Sequence, residues 1–476
     1  MRLAAATSLP QDVRGPAFDR AALRPGILHF GLGAFHRAHQ AVYTQAALEQ
    51  DFGPWGIVAV NLRSASPVDD LAAQDGLYSV TTRGPDGDRV DVIGATVDWI
   101  CAARDPQRVL DCLTDPAIRI VTLTVTEKAY GLDPATGGLD MTHPAVAADL
   151  AGPQFPAGPV GWLVEGLARR RAAGTAPFTV LCCDNLAANG QVLRRLVTEM
   201  ARRRDPALAD WIEAEVAFPS SMVDRIVPAA TDETRARAAA ALGVRDALAI
   251  DTEPFMQWVI EDGFPLGRPA WDKAGAVFTR DVAPYEKMKL RMLNGSHTLI
   301  AHLGILHGLE FVRDVMAVPE LAAQVRAHMQ AAAAMLDPVP GIDLDAYRDD
   351  LLARFANPAI AHRTVQIAMD TTQKLPQRIL SPAADALAAG GDAAAFARAT
   401  GAWIAALAHR QDADDPRRDE LMAAVRAMPE DRPSEPFFRL EGLFPEALAA
   451  NAPWRAQVDA AIRADLASAR PSGAMR

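Results

Sequence analysis

The chain has 476 residues, 50% apolar and 22% charged, the composition of an ordinary soluble globular protein with room for two or three domains. A formal net charge of -11, with no basic block, argues against a general nucleic-acid or anionic-membrane partner. The four cysteines (Cys101, Cys112, Cys182 and Cys183) form no C-x-x-C pair, which favours a reducing compartment over a disulfide framework or a structural zinc. No apolar run approaches the roughly 20 residues that span a bilayer. MRLAAATSLPQDVR has too short an apolar segment for a secretory signal, so the expected location is cytoplasmic.

Residues 1–25 are polar and punctuated by proline, the pattern of an arm lying over the surface. GILHF (26–30) reads as a short apolar strand, followed at once by GLGAFHRAHQAVYTQAALEQ, a glycine turn that continues as a helix. WGIVAVNL (55–62) reads as a buried second strand. Strand, Gly-rich turn, helix and strand form the opening βαβ unit of a dinucleotide-binding fold. Gly31 permits the tight turn, and Gly33 lets the backbone approach a pyrophosphate at the helix N-terminus. His36 stands where a third glycine is usual, so the turn taken alone also fits a purely structural role. No acidic ribose anchor ends the second strand. Asn61 lies near that position and Arg63 follows it. Arg63 would favour a 2′-phosphate, which keeps NADP open beside NAD. Asp69 and Asp70 begin a surface helix. His36 and His39 read as packing or hydrogen-bonding residues, since no carboxylate or cysteine completes a metal cluster with them.

RIVTLTV (119–125), FTVLCCD (178–184) and ALAIDT (247–252) are further apolar, β-branched runs, separated in part by helical stretches such as 161–174 and 190–204. The alternation predicts an α/β fold, a Rossmann-type doubly wound parallel sheet. Polar residues gather after the strand ends: Thr126, Glu127 and Lys128 after one, Asp184 and Asn185 after another. Open parallel sheets bind ligands at that edge. From Pro284 onward the strand pattern stops and Ala- and Leu-rich helices dominate. The boundary therefore separates a dinucleotide-binding domain (1–283) from a mainly helical substrate and catalytic domain (284–476).

PYEKMKLRMLNGSHTLIAHLGILH (284–307) holds an amine, an amide and an imidazole within nine residues: Lys289, Asn294 and His297. In an α-helix, at about 100° per residue, Lys289 and His297 project roughly 80° apart and His297 roughly 60° from Asn294, so all three can line one pocket. Read alone, the stretch fits a half-exposed amphipathic helix equally well, with Leu290, Leu293, Leu299, Ile300 and Leu303 as its buried flank. Gly295 interrupts the pattern at a cost of about 1 kcal/mol against Ala, which implies close approach by another chain or a ligand. Glu286 lies three residues before Lys289, as either a surface ion pair or a proton relay.

GLGAFHRAHQAVY, TVTEKAYG, CCDNLAANG, FPSSMVDRIVP and KLRMLNGSH, in this order, resemble the long-chain mannitol dehydrogenase family of polyol and uronate oxidoreductases. The resemblance runs from roughly residue 25 to residue 380. It implies a Rossmann-type N-terminal domain, a mainly helical C-terminal domain, a nicotinamide cofactor and no metal. The family pattern K-x-x-x-x-N-x-x-H implies that Lys289, Asn294 and His297 are catalytic. Asn185 in CCDN and Asp224 in MVDR match substrate-pocket positions, although Asp224 also reads as a salt-bridge partner of Arg225. Gly31 and Gly33 match the cofactor turn, and Phe35, Asn61 and Glu127 are the further cofactor-binding candidates.

Oxidising a secondary alcohol needs a base for the hydroxyl proton and donors for the developing oxyanion. Lys289, near a bound NAD cation in a partly desolvated cleft, would have its pKa lowered toward neutrality and serve as that base. Asn294 and Asn185 offer uncharged N–H donors to an alkoxide-like oxygen, and His297 orients the substrate. HRTVQIAMDTTQKLPQRIL (362–380) carries Arg363, Lys374 and Arg378. Lys374 and Arg378 would meet a carboxylate if the segment is helical through Pro376; otherwise they form an exposed basic turn. NLRS with AAQDGLYSV beyond it, and MDTTQKLPQR downstream, resemble the uronate-reducing branch of the family. The first reading is therefore D-mannonate/D-fructuronate oxidoreduction, with mannitol 2-dehydrogenase or another polyol dehydrogenase as the second. An inactive cofactor-binding sensor is a third, against which the presence of Lys289, Asn294 and His297 counts. The expected assembly is a monomer or small homo-oligomer.

Overall fold

The computed structural model describes residues 1–152 and 154–469, apart from the side chain of Glu127. The chain divides into two compact units, Met1–Ala283 and Pro284–Arg476.

The first unit is built on five parallel strands in the spatial order Thr96–Cys101, Gly56–Asn61, Pro25–Phe30, Ile120–Leu123, Thr179–Cys182. Apart from the edge strand Thr96–Cys101, where Val97, Asp98 and Trp99 are half-buried, their sequences are nearly all apolar because both faces are covered. Leu28, Phe30, Val58, Val60, Val121 and Leu123 face one layer, packed with Val109, Leu163 and Leu196 from helices Pro106–Thr114, Pro159–Ala173 and Asn189–Arg204. Ile27, Ile57, Ala59 and Ile120 face the other, packed with Ala41, Tyr43 and Leu71 from helices Gln40–Gln50 and Ser66–Ala72. The period of two along each strand delivers alternate side chains to opposite layers.

Several features depart from expectation, among them the parallel strand Thr96–Cys101, which the sequence did not reveal. Ile250–Thr252, within ALAIDT, is no part of the parallel sheet; it pairs with Tyr78–Gly84 in a separate four-stranded sheet. The hairpin Tyr78–Gly84 and Gly87–Ile93, closed by Pro85 and Asp86, is the centre of that sheet. The N-terminal arm contributes its edge through Val13–Arg14. A third sheet sets Ser221–Asp224 antiparallel to Gln257–Glu261, which also pairs with Val277–Thr279.

The second unit is helical, and its central element is one continuous helical rod from Ala283 to His307. Every residue from Gly295 to Leu306 is buried, so the expected half-exposed amphipathic helix is instead a core helix. It packs against Ala394–Arg410 and Pro319–Ala334. Among the described residues no helix is long and apolar enough to cross a membrane.

Candidate active site

In the first unit the sequence candidates lie mainly along the carboxyl ends of the parallel strands. Gly31 has φ +105°, and a Cβ there would sit 2.0 Å from the Thr124 carbonyl oxygen, so only glycine makes this turn against the neighbouring strand. Gly33 precedes helix Ala34–Ala38, and a Cβ built on it meets no atom within 4 Å. One glycine is needed for packing; the other leaves open space for a ligand's approach. The turn is held from beneath by His29, whose Nε2 lies 2.9 Å from the Gly31 carbonyl and whose Nδ1 lies 2.8 Å from Thr122 Oγ1. Burial pushes the His29 pKa down to about 3, so the ring is neutral: Nε2–H donates to Gly31 and Nδ1 accepts from Thr122. His36, at the position of the missing third glycine, stacks on His29 with ring centroids 3.5 Å apart. Phe35 is half-buried and stacks on His39, whose Nε2–H donates to the Gln257 carbonyl at 2.9 Å. His36 thus packs on His29, and His39 both packs on Phe35 and hydrogen-bonds.

Asn61 ends its strand, and its amide donates to the Ser64 carbonyl at 2.6 Å. Arg63 is exposed two residues on. Glu127 opens a short 3-10 turn, Glu127–Tyr130; its side chain lies outside the described residues. Asn185 is exposed on the loop after Thr179–Cys182, whose neighbour Asp184 accepts from the Val125 N–H at 3.1 Å and from the Tyr130 hydroxyl. Asp224 is buried at the end of its own strand. Arg225 donates instead to the carbonyls of Ala38 and Glu253, so its guanidinium is occupied by backbone. Asn189, which the sequence did not single out, ties the two loops together. Its Nδ2 donates to the carbonyls of Asp184 at 3.1 Å and Ser221 at 2.8 Å, and its Oδ1 accepts from the Ser221 N–H at 3.0 Å.

In the second unit Lys289, Asn294 and His297 are all buried on the central rod. The rod is not α-helical throughout. Lys289–Asn294 is a π-helical turn, in which the Gly295 N–H reaches the Leu290 carbonyl five residues back. A phase of 100° per residue does not hold across it, and such insertions occur frequently at functional sites. A second π turn, Pro376–Leu380, packs against the first and carries Arg378. Pro376 has no N–H for the Thr372 carbonyl, and the widened turn is closed by the Ser381 N–H on the Pro376 carbonyl. Arg291, in the first turn, donates to the Met335 carbonyl at the end of helix Pro319–Ala334 at 2.8 Å and to the Asp385 carboxylate on helix Ser381–Ala388, which follows the second turn.

Gly295 is needed where these elements meet: a Cβ there would lie 2.8 Å from His328 Nε2 and 3.0 Å from the Arg378 carbonyl oxygen. Its reason is helix packing within the unit, not the approach of cofactor or substrate. Arg378 Nη1 lies 3.4 Å from the Asn294 carbonyl and 3.3 Å from Thr298 Oγ1, while the Thr298 hydroxyl donates to the same carbonyl at 3.0 Å. Lys374 turns elsewhere. Its ammonium donates to the carbonyls of Ile367 and Met369, at 3.4 and 2.5 Å, and so caps the short helix Thr364–Ile367. Lys374 and Arg378 thus each meet backbone carbonyls of different elements. Arg363 pairs with Glu310 at 2.9 Å on the surface. Glu286 is half-buried one turn before Lys289.

His297 packs between the Phe355 ring, 4.5 Å away, and the His362 ring, 5.3 Å away. Burial holds its pKa well below the usual histidine value, and His362, Arg354, Arg378 and Lys289 lower it further. The ring is thus a neutral hydrogen-bonding group. Lys289 and half-buried Arg378 both act on it, so an amine, a guanidinium and an imidazole share one neighbourhood.

A glycine-turned parallel sheet and a helical unit bearing a buried amine, amide and imidazole define a two-domain dehydrogenase. The chain belongs to the mannitol dehydrogenase family: residues 25–273 match the mannitol dehydrogenase Rossmann domain and residues 281–460 the mannitol dehydrogenase C-terminal domain. It is 46% identical over 397 residues to the D-mannonate oxidoreductase of Escherichia coli (strain K12), covering 82% of each chain. It is 42% identical over 374 residues to the polyol:NADP oxidoreductase of Gluconobacter oxydans (strain 621H), covering 77% of each. Its structure resembles that of Pseudomonas fluorescens mannitol 2-dehydrogenase in a ternary complex with NAD and D-mannitol, with TM-score 0.86 and 38% identity over 98% of this chain and 96% of that one.

Proposed function

We propose that the chain is an NAD(H)-dependent oxidoreductase that interconverts D-mannonate and D-fructuronate. Gly31 and Gly33 fit a dinucleotide, the first by its turn and the second by the open space above it; Phe35, Asn61 and Glu127 complete that set. The nicotinamide supplies the hydride acceptor for oxidation and the donor for reduction. Lys289 takes the hydroxyl proton in oxidation and returns it in reduction. Asn294 and Asn185 donate N–H groups to the reacting oxygen. His297, kept neutral by its surroundings, hydrogen-bonds a substrate oxygen without adding charge. Asp224 accepts from a substrate hydroxyl, and Glu286 passes the proton between Lys289 and solvent.

The observation that carries the uronate reading is Arg378, a half-buried guanidinium 3.4 Å from the Asn294 carbonyl and close enough to His297 to lower its pKa. Planar carboxylates are held bidentately by such a group. Lys374 keeps at most an indirect part, through its cap on the adjoining helix. A neutral polyol with NADP is the second reading, favoured by exposed Arg63 just beyond the Asn61 strand end. Reduction assays with NADH and with NADPH against fructuronate, tagaturonate and fructose separate them. A preference of about 100-fold in kcat/KM for fructuronate with NADH is expected, the gain of a charge-assisted bidentate pair. A preference for fructose transfers the assignment to mannitol 2-dehydrogenase chemistry, and inactivity on all three overturns it.

A further inference from the structure

We propose that His362 is a second substrate-binding imidazole, acting with His297 on neighbouring oxygens of an open-chain polyhydroxy substrate, a vicinal diol or an α-hydroxy ketone. The inference rests on the reading that the chain oxidises and reduces a sugar-derived alcohol, and adds to it a residue of the recognition machinery. The His362 ring stands edge-on to His297, with centroids 5.3 Å apart and planes at 86°. His297 Nε2 and His362 Nδ1 are both shielded from solvent, and neither has a hydrogen-bond partner among the described residues. Buried polar atoms in folded proteins are nearly always satisfied. His36 and His328 also carry ring nitrogens unpartnered among the described residues, but here two such nitrogens sit on adjoining rings next to Lys289 and Arg378, which points to a ligand that satisfies both.

The surroundings fit that ligand. Burial pushes the His362 pKa down to about 4, and Arg354, Arg378 and Lys289 oppose protonation of His297, so both rings are neutral. A neutral imidazole presents one donor and one acceptor nitrogen, and a hydroxyl can meet either. Phe355, 4.5 Å from His297, adds an apolar wall suited to the carbon chain of a sugar. The His362 backbone is fixed, as a binding residue requires. Its carbonyl accepts from the Val312 N–H at 3.0 Å, Arg363 bridges to Phe311, and the Thr364 N–H donates to the Glu310 carbonyl at 2.9 Å.

Two variants test this. His362→Leu fills the space without a nitrogen, and His362→Asn places an amide near the position of Nδ1. Each is measured for KM and kcat on whichever of fructuronate, tagaturonate and fructose the unaltered chain reduces, for NADH affinity by fluorescence titration, and for its melting temperature. His362→Leu should raise KM for the sugar about tenfold, the worth of one neutral hydrogen bond, with a smaller change in kcat and unchanged NADH affinity. His362→Asn should recover most of that loss. Wild-type KM in His362→Leu overturns the inference and leaves the activity assignment standing. A loss of NADH affinity or of folding shared equally by both variants assigns His362 to packing and also overturns it. If the unaltered chain reduces none of the three sugars, the activity assignment fails and the inference fails with it.

Discussion

At the Gly31–Gly33 turn the important feature is the absence of side chains; in the Lys289–His297 rod it is three particular side chains. The turn is shaped by a positive φ and a neighbouring carbonyl 2.0 Å from where a Cβ would be. The rod is shaped by a π turn of its own that packs on a second one, Pro376–Leu380. A backbone-made site recognises what dinucleotides share, the pyrophosphate, whereas a side-chain-made site selects one chemistry and one substrate. Cofactor binding and turnover should therefore be separable by mutation.

The largest expected effect is on the side-chain region. Lys289→Ala should lower kcat by roughly 10²–10⁴-fold, the usual worth of a positioned acid or base, while NADH fluorescence titration gives an unchanged Kd. Near-normal turnover would remove Lys289 from the chemistry. A lost NADH affinity would show that the two functions are not separable in this way.

The reverse separation belongs to the turn, where the two glycines should differ from each other. Gly31→Ala combines a disfavoured φ with a backbone clash and should destabilise the chain by about 3 kcal/mol or more, read from denaturant unfolding. Gly33→Ala meets open space and should shift stability by less than about 1 kcal/mol. Its methyl would instead fill the approach to the backbone, so NADH affinity should fall while the melting temperature stays. Equal stability losses in the two variants would break the assignment of Gly31 to packing and Gly33 to ligand approach.

Four of the five parallel strands were legible because they are covered on both faces and so appear as Val, Ile and Leu runs ended by glycine or polar residues; the edge strand Thr96–Cys101, with half-buried Asp98 and Trp99, was missed. The Tyr78–Ile93 hairpin was missed although YSVTTRG and GDRVDVI flank a Pro-Asp turn, a signal that was present. Ile250–Thr252 was legible as a strand but not as a member of another sheet, since pairing partners leave no local mark. At the candidate site, Lys289, Asn294 and His297 stood out by residue type and spacing. His29 and His362 did not, because a histidine inside an apolar strand or a charged segment gives no sign of which atoms it will meet. Lys374 and Arg378 looked equivalent four residues apart, and only the fold shows one capping a helix and the other beside Asn294.

The smallest effect, and the finest test of the contrast, concerns the π turn at Pro376. A proline inside an α-helix costs about 3 kcal/mol, mostly through the missing N–H and the clash with the preceding turn. Here the widened turn already absorbs both, since the Ser381 N–H closes on the Pro376 carbonyl. Pro376→Ala restores an N–H for the Thr372 carbonyl and permits the segment to return to α-helical spacing. Stability should change by no more than about 1 kcal/mol, because the gained hydrogen bond trades against the packing of the two π turns. Arg378, two residues on, would be rotated away from Asn294 and Thr298. The expected signature is a several-fold rise in KM for a uronate with little change for a neutral ketose. Parallel changes for both substrates would mean that the π turn serves packing alone and that Arg378 does not read the carboxylate.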